Sequence, residues 1–251
     1  MEDLIFTVAG VATGVFSGAL GVGGALLATP LIRFLGVAPY LAVGTTVPVM
    51  LPTTLVGALT YGRQNFVDMR VAILTAIPAA IAAVAGARST RAVNGHVLML
   101  VTAAIIVILA IRMIPKKGGE EVVDRPPPSI GGLTILGLSA GFLSGLLGIG
   151  GGFLMVPVYI KVFGLSTKKA LGTSLAVIAL IVIPNTVAQA FVGNIDWTVA
   201  FWLALGVIPG AWVGARLAIR TRESILRIIL VVAILFVAVL YATIEINELM
   251  A

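Results

Sequence analysis

GFLSGLLGIGGGFLMVP, residues 141–157, occurs a second time in the chain as GVFSGALGVGGALLATP, residues 14–30. Laid together, Gly14, Ser17, Gly18, Gly21, Gly23, Gly24 and Pro30 match Gly141, Ser144, Gly145, Gly148, Gly150, Gly151 and Pro157 at a constant offset of 127. Each copy lies in an apolar run that meets no charge until Arg33 or Lys161. A glycine inside a helix costs about 1 kcal/mol relative to alanine, and a helix that faces only lipid gains nothing in return. A chain that must unwind, or bring its backbone against another, does gain. Two such breaks at corresponding positions of two halves point to the substrate site of a transporter.

Composition agrees. With 60% hydrophobic and 10% charged residues and a mean hydropathy of +1.16, the 251-residue chain is too apolar for a soluble domain, since soluble chains carry about 25% charged residues. Uncharged tracts near the roughly 20 residues that cross a bilayer fill most of its length. The net charge of +6 comes from basic residues in short loops between these tracts. That pattern fits membrane anchoring and orientation, and it forms no arm or stripe for nucleic acid. The absence of cysteine excludes disulfides, a thiolate nucleophile and a cysteine metal cage,. The opening MEDLIF is acidic where a signal peptide needs basic residues, so the first apolar segment is expected to stay in the mature protein,.

Apolar segments cover residues 4–35, 41–61, 71–87 and 97–111, then 130–163, 170–192, 197–215 and 225–243. Between them, RMIPKKGGEEVVDRPPPS (112–129) is the one long polar stretch, and its three prolines cannot continue a helix,. The expected organisation is a first membrane repeat over 1–114, a cytoplasmic linker over 115–129 and a second membrane repeat over 130–251, all one integral membrane domain. The halves also match outside the glycines. At an offset of 128, AVGTT (42–46) falls on ALGTS (170–174), Asp68 on Asp196, and GAR (86–88) on GAR (214–216).

Lysine and arginine counts bear on topology. If each glycine-broken segment crosses once, the richer face holds ten of the sixteen basic residues. If each turns back on itself, the inner face holds all but Arg33, Arg88 and Arg91, thirteen of sixteen. The second arrangement also makes the halves inverted repeats. The expected fold is therefore an all-α polytopic membrane protein of two homologous, inverted halves. Its glycine-broken segments, re-entrant or half-helical, would lie near the bilayer midplane. Thirty residues also suffice for a single tilted helix, so one crossing stays open at this stage.

The doubled glycine signature, followed each time by GTT or GTS, an Asp opening the next span and then GAR, resembles the sulfite exporter TauE/SafE family of membrane transporters. The likeness covers both halves. It implies a prokaryotic plasma-membrane, multi-pass permease for small sulfur-containing anions such as sulfite, sulfonates or sulfoacetate-like compounds. One departure is Gln64-Asn65, where the second half has the Gly193-Asn194 turn. The first-half loop is accordingly expected to be shaped differently.

Each conspicuous residue has a functional and a structural reading. Gly21, Gly23, Gly24, Gly148, Gly150, Gly151 and Gly152 either aim helix N-terminal amides at an anion or pack helices closely, as Gly14-xxx-Gly18 and Gly141-xxx-Gly145 would. No lysine follows to make a P-loop. Thr45, Thr46, Thr173 and Ser174 donate hydroxyls to the anion, or cap and bond back to their own helices. Asn185 and Gln189, four apart in an uncharged span, line a site or join helices; Ser17 and Ser144 are further candidates. Asp68 and Asp196 cap helix starts, with a coupling role as the alternative. Arg88 and Arg216 end spans and His96 stands at a boundary. Trp197, Trp202, Trp212, Tyr61 and Tyr241 suit an aromatic belt.

The function expected is a transporter or exporter that holds a small anion between the two breaks and works by alternating access. A channel-like anion uniporter and a non-transporting assembly subunit are the alternatives. An intramembrane enzyme lacks paired carboxylates, a Ser/His/Asp set or a ligand cluster in the spans. No catalytic residue, metal or cofactor is predicted. The bilayer and the anion are the expected partners, nucleic acid is not one, and a homodimer is compatible with the sequence.

Overall fold

A computed structural model describes residues 2–92, Ala104, 128–226 and most positions from 228 to 239. The segment 97–111 except Ala104, the linker up to residue 127, His96, Tyr241 and much of 225–243 lie outside the described residues. Among those described the regular structure is helical: α1 (Glu2–Leu20), α2 (Ala25–Phe34), α3 (Pro39–Gly62) and α4 (Met69–Ser89), with a 3₁₀ turn at Thr90–Ala92. In the second half come α5 (Ile130–Leu147), α6 (Gly152–Lys161), α7 (Thr167–Val192) and α8 (Trp197–Arg220). Six of these, all but α2 and α6, are long and apolar enough to cross a membrane.

Local chemistry sets the helix ends. Asp68 accepts from the Val71 amide, Asp196 from Thr198 and Val199, Ser129 from Gly132 and Ser166 from Lys169, each satisfying an orphan donor of a first turn. Leu20 and Leu147 end their helices where glycines take over. Gly21, Gly23 and Gly24, and then Gly148, Gly150 and Gly151, all have φ between +67° and +92°, a conformation that costs other L-residues. The expectation that the loop after α3 differs from its counterpart is corrected here. Asn65, at φ 59°, takes the left-handed place of Gly193. The Phe66 amide then bonds the Tyr61 carbonyl just as that of Asn194 bonds Gln189. Asparagine tolerates this conformation because its short polar side chain bonds locally.

Lipid offers helices no hydrophobic drive to associate, so close backbone packing does that work. Gly10, Gly14 and Gly18 of α1 lie against Leu203, Val207 and Ala211 of α8. Because the numbers rise together, the two helices run parallel. Gly137, Gly141 and Gly145 of α5 meet Thr75, Ala79 and Ala83 of α4 in the same way. Each half thus pairs its first helix with the last described long helix of the other. α3 and α7 run antiparallel: Gly44 near the start of α3 lies on Asn194, just after α7, and Gly172 near the start of α7 lies on Phe66, just after α3. Tyr61 is fully buried and its hydroxyl bonds the Ala19 carbonyl at 3.4 Å; it belongs to this packing and not to an aromatic belt.

Candidate functional site

The two glycine breaks touch. A β-carbon at Gly152 would stand 2.5 Å from the Gly21 carbonyl oxygen, and one at Gly150 would stand 3.2 Å from that of Val22. Met50 and Ile178 flank the meeting point, both bordering Gly23 and Gly150. Each is the twelfth residue of its helix, α3 or α7, so the breaks meet halfway along the two central helices. Val22 and Ile149, one from each break, are wholly buried.

Beside the first break stand three hydroxyl-bearing side chains. A β-carbon at Gly24 would find only ordinary contacts, at 3.5 to 3.6 Å, with the methyl groups of Thr13 and Thr53 and the β-carbon of Ser17. Thr53 bonds its own helix through the Val49 carbonyl. The Thr13 and Ser17 hydroxyls are fully buried and have no hydrogen-bond partner among the described residues. Next to them α2 begins. Its first intrahelical bonds run from Leu27 and Ala28 to the Gly24 carbonyl, so the preceding amides are first-turn donors with no acceptor inside the helix. Two residues with unpaired buried hydroxyls therefore border the positive end of a ten-residue helix,. That set suits an anion's oxygens.

The second break differs. Around Gly151 the corresponding neighbours are the Ala140 carbonyl and the Met155 methyl. Methionine and alanine replace the alanine (Ala28) and threonine (Thr13) of the first half. Ser144 keeps a buried, unpartnered hydroxyl like Ser17. The break is repeated in backbone, but threonine and serine side chains border it at Gly24 and a carbonyl and a methionine methyl border it at Gly151.

The remaining candidates are dispersed. Thr45 accepts from the Asp196 amide at 2.9 Å and Thr173 from the Asp68 amide at 3.0 Å. These two bonds tie each half's central helix to the start of the other half's next one. Ser174 donates to the Gly21 carbonyl at 2.7 Å and holds the first break in place. Thr46 bonds back to Ala42 and Val43 and lies 3.2 Å from Thr29 of α2. Gln189 donates to the Gly145 carbonyl and accepts from Asn194. Asn185 is buried with both amide atoms unpartnered. Gly148 lies against the Val43 carbonyl, at the start of α3.

A family model described as sulfite exporter TauE/SafE matches residues 6–241. The chain belongs to the TauE/SafE family. It is 33% identical to the probable membrane transporter protein YjnA of Bacillus subtilis over 90% of this chain and 94% of that protein. To the probable membrane transporter protein YunE of the same organism it is 28% identical, over 95% and 96%. A probable membrane transporter protein of Xylella fastidiosa is 29% identical over 89% and 88%. This TauE/SafE protein is a multi-pass membrane transporter, and a prokaryotic inner membrane fits its bacterial relatives. Thr13 and Thr53, which border its polar cradle, escaped a search based on repetition because their counterparts are Ala140 and Ile181. Their one sequence signal is a hydroxyl in an uncharged span close to a glycine cluster.

Proposed function

We propose that this chain carries a small, sulfur-containing oxyanion across the membrane by alternating access between two inverted halves. The observation that carries the reading is that Thr13 and Ser17, whose buried hydroxyls are unpartnered among the described residues, border Gly24 at the start of α2, beside the first break. A sulfite- or sulfonate-like group presents several oxygens that accept hydrogen bonds, and the cradle offers only donors of modest polarity. Binding by amides and hydroxyls, without a full positive charge, allows release as well as capture. The antiparallel course of α3 and α7 supports inverted repeats, and the abrupt turns at Gly21–Gly24 and Gly148–Gly151 support re-entrant half-helices. At ten residues, α2 and α6 are each about 15 Å long,, half the ~30 Å hydrocarbon core.

Gly21, Gly23 and Gly24 with Ser17 form the substrate side of the first half in this reading; Gly148, Gly150, Gly151 and Gly152 with Ser144 and Asn185 form that of the second. Ser174 holds the first break, Thr46 lies against α2, Gln189 braces α5, and Thr45 and Thr173 join the two halves. Flux of sulfite, sulfoacetate, taurine-like sulfonates and sulfate into proteoliposomes, with and without a pH gradient, tests the proposal. Saturable flux of at least one of the sulfur oxyanions, reduced by Ser17→Ala, is expected. Liposomes no more permeable than protein-free ones would refute it.

A further inference from the structure

We propose that the end of the bundle where α3 and α8 finish binds one anionic phospholipid, its phosphate among Arg63, Arg216 and Arg220 and an acyl chain in the groove between α3 and α7. A cavity of about 370 Å³ opens there, lined by those arginines with Thr60, Gln64 and Trp212. Its lining contains no carboxylate. Arg63 is the C-cap of α3 and Arg220 is in the last turn of α8, so the helix dipoles offset part of the charge. Two C-termini supply about −0.5 each, which leaves most of three positive charges without a counterion among the described residues. The Arg216 guanidinium stacks 3.8 Å from the Trp212 ring centroid, fixing its plane and leaving its donor edge for a phosphate. Thr60 spends its proton on the Val56 carbonyl.

The apolar side of the site identifies a lipid. Arg63 also borders a second cavity, of about 660 Å³, lined almost wholly by apolar residues of α3, α7 and the start of α4. From Leu51 to Arg63 that groove follows α3 for about 18 Å,, roughly the depth of one leaflet of a ~30 Å core. A free oxyanion has no use for it, whereas an anionic phospholipid fills both spaces. The face concerned carries Lys168 and Lys169 as well, and the lysine and arginine distribution puts it inside, where anionic lipid gathers. Membrane anchoring by scattered cations needs neither a cavity nor a stacked arginine. The site is separate from the glycine breaks and does not depend on what is transported.

Native mass spectrometry of the full chain tests the inference, using phosphatidylglycerol and phosphatidylcholine of identical chains, with inorganic phosphate and sulfate as competitors. Phosphatidylglycerol should be retained over phosphatidylcholine by on the order of a hundredfold, falling about fivefold with each arginine changed to glutamine. Leu180→Trp, placed in the exposed groove, should weaken both lipids alike. If Arg63→Gln/Arg216→Gln/Arg220→Gln together prevent purification, Arg220→Gln alone and Leu180→Trp supply the same reading. Equal retention of the two lipids, a preference that survives arginine removal, or displacement of the lipid by inorganic phosphate would each overturn the proposal. The last would make the cavity a site for a free anion.

Discussion

Ser17→Ala separates a binding hydroxyl from a packing one because stability and transport should move in opposite directions. The Ser17 hydroxyl is fully buried without a partner, and an unsatisfied buried polar group costs about 1–3 kcal/mol. Alanine removes that group and leaves a void of one oxygen. Thermal unfolding of the ligand-free protein should therefore be unchanged or shifted upward, with a gain of up to about 1 kcal/mol. With an anion bound the hydroxyl becomes a donor to a charged acceptor, a bond that contributes about 1.5–3 kcal/mol. At 1.4 kcal/mol per factor of ten, its loss weakens apparent affinity about ten- to a hundredfold. Thr13→Val should behave alike, since it keeps the shape and discards the hydroxyl. Thr54→Val is the control: its hydroxyl already donates to the Met50 carbonyl at 2.7 Å, so affinity should stay within about twofold. The assays are anion flux in proteoliposomes and thermal unfolding in detergent. A Ser17→Ala protein with unaltered affinity would refute the binding role, and one less stable by more than about 1 kcal/mol would show that the hydroxyl already has a partner.

Glycine substitutions should rank by what the new methyl meets. Gly148→Ala places it 2.5 Å from the Val43 carbonyl oxygen, whereas Gly150→Ala meets the flexible Met50 thioether at 2.7 Å. Yield and melting temperature should fall further for Gly148→Ala, and the reverse order would discredit the contact geometry. Asp196→Asn keeps an oxygen to accept from Thr198 and Val199 but cannot carry a proton. Asn and Asp cap helices about equally, so folding and pH-gradient dependence of flux should persist; a loss of that dependence alone would assign Asp196 to coupling. In this cysteine-free chain, single cysteines at Gln64 and Lys169 should react with an impermeant maleimide only from the cytoplasm, and one at Ala38 only from outside. Labelling of all three from one side would end the inverted arrangement.

Sequence alone determined the class of molecule and where to look within it. Uncharged tracts of bilayer length point to helices, because only helices and closed barrels satisfy backbone polar groups in hydrocarbon and barrel strands are about ten residues long and alternate. The 127-residue repeat of glycines marked both breaks before any coordinate was known. The capping of α4 and α8 was equally legible, since an aspartate opening a span acts on amides three residues away. Local chemistry reaches no further than that. Which halves touch was decided in three dimensions: α1 packs on α8 and α5 on α4, and no periodicity names a partner helix. Thr45 and Thr173, each after a glycine, each accept a backbone amide from the opposite half, a contact that no spacing in the sequence announces. The polar cradle at Gly24 stayed hidden for the opposite reason. Repetition finds what two halves share, whereas Thr13 and Thr53 matter because Ala140 and Ile181 stand in their places. Only the folded chain brings unrepeated threonines to a repeated helix end, and that convergence over residues distant in sequence is what distinguishes the first break from the second.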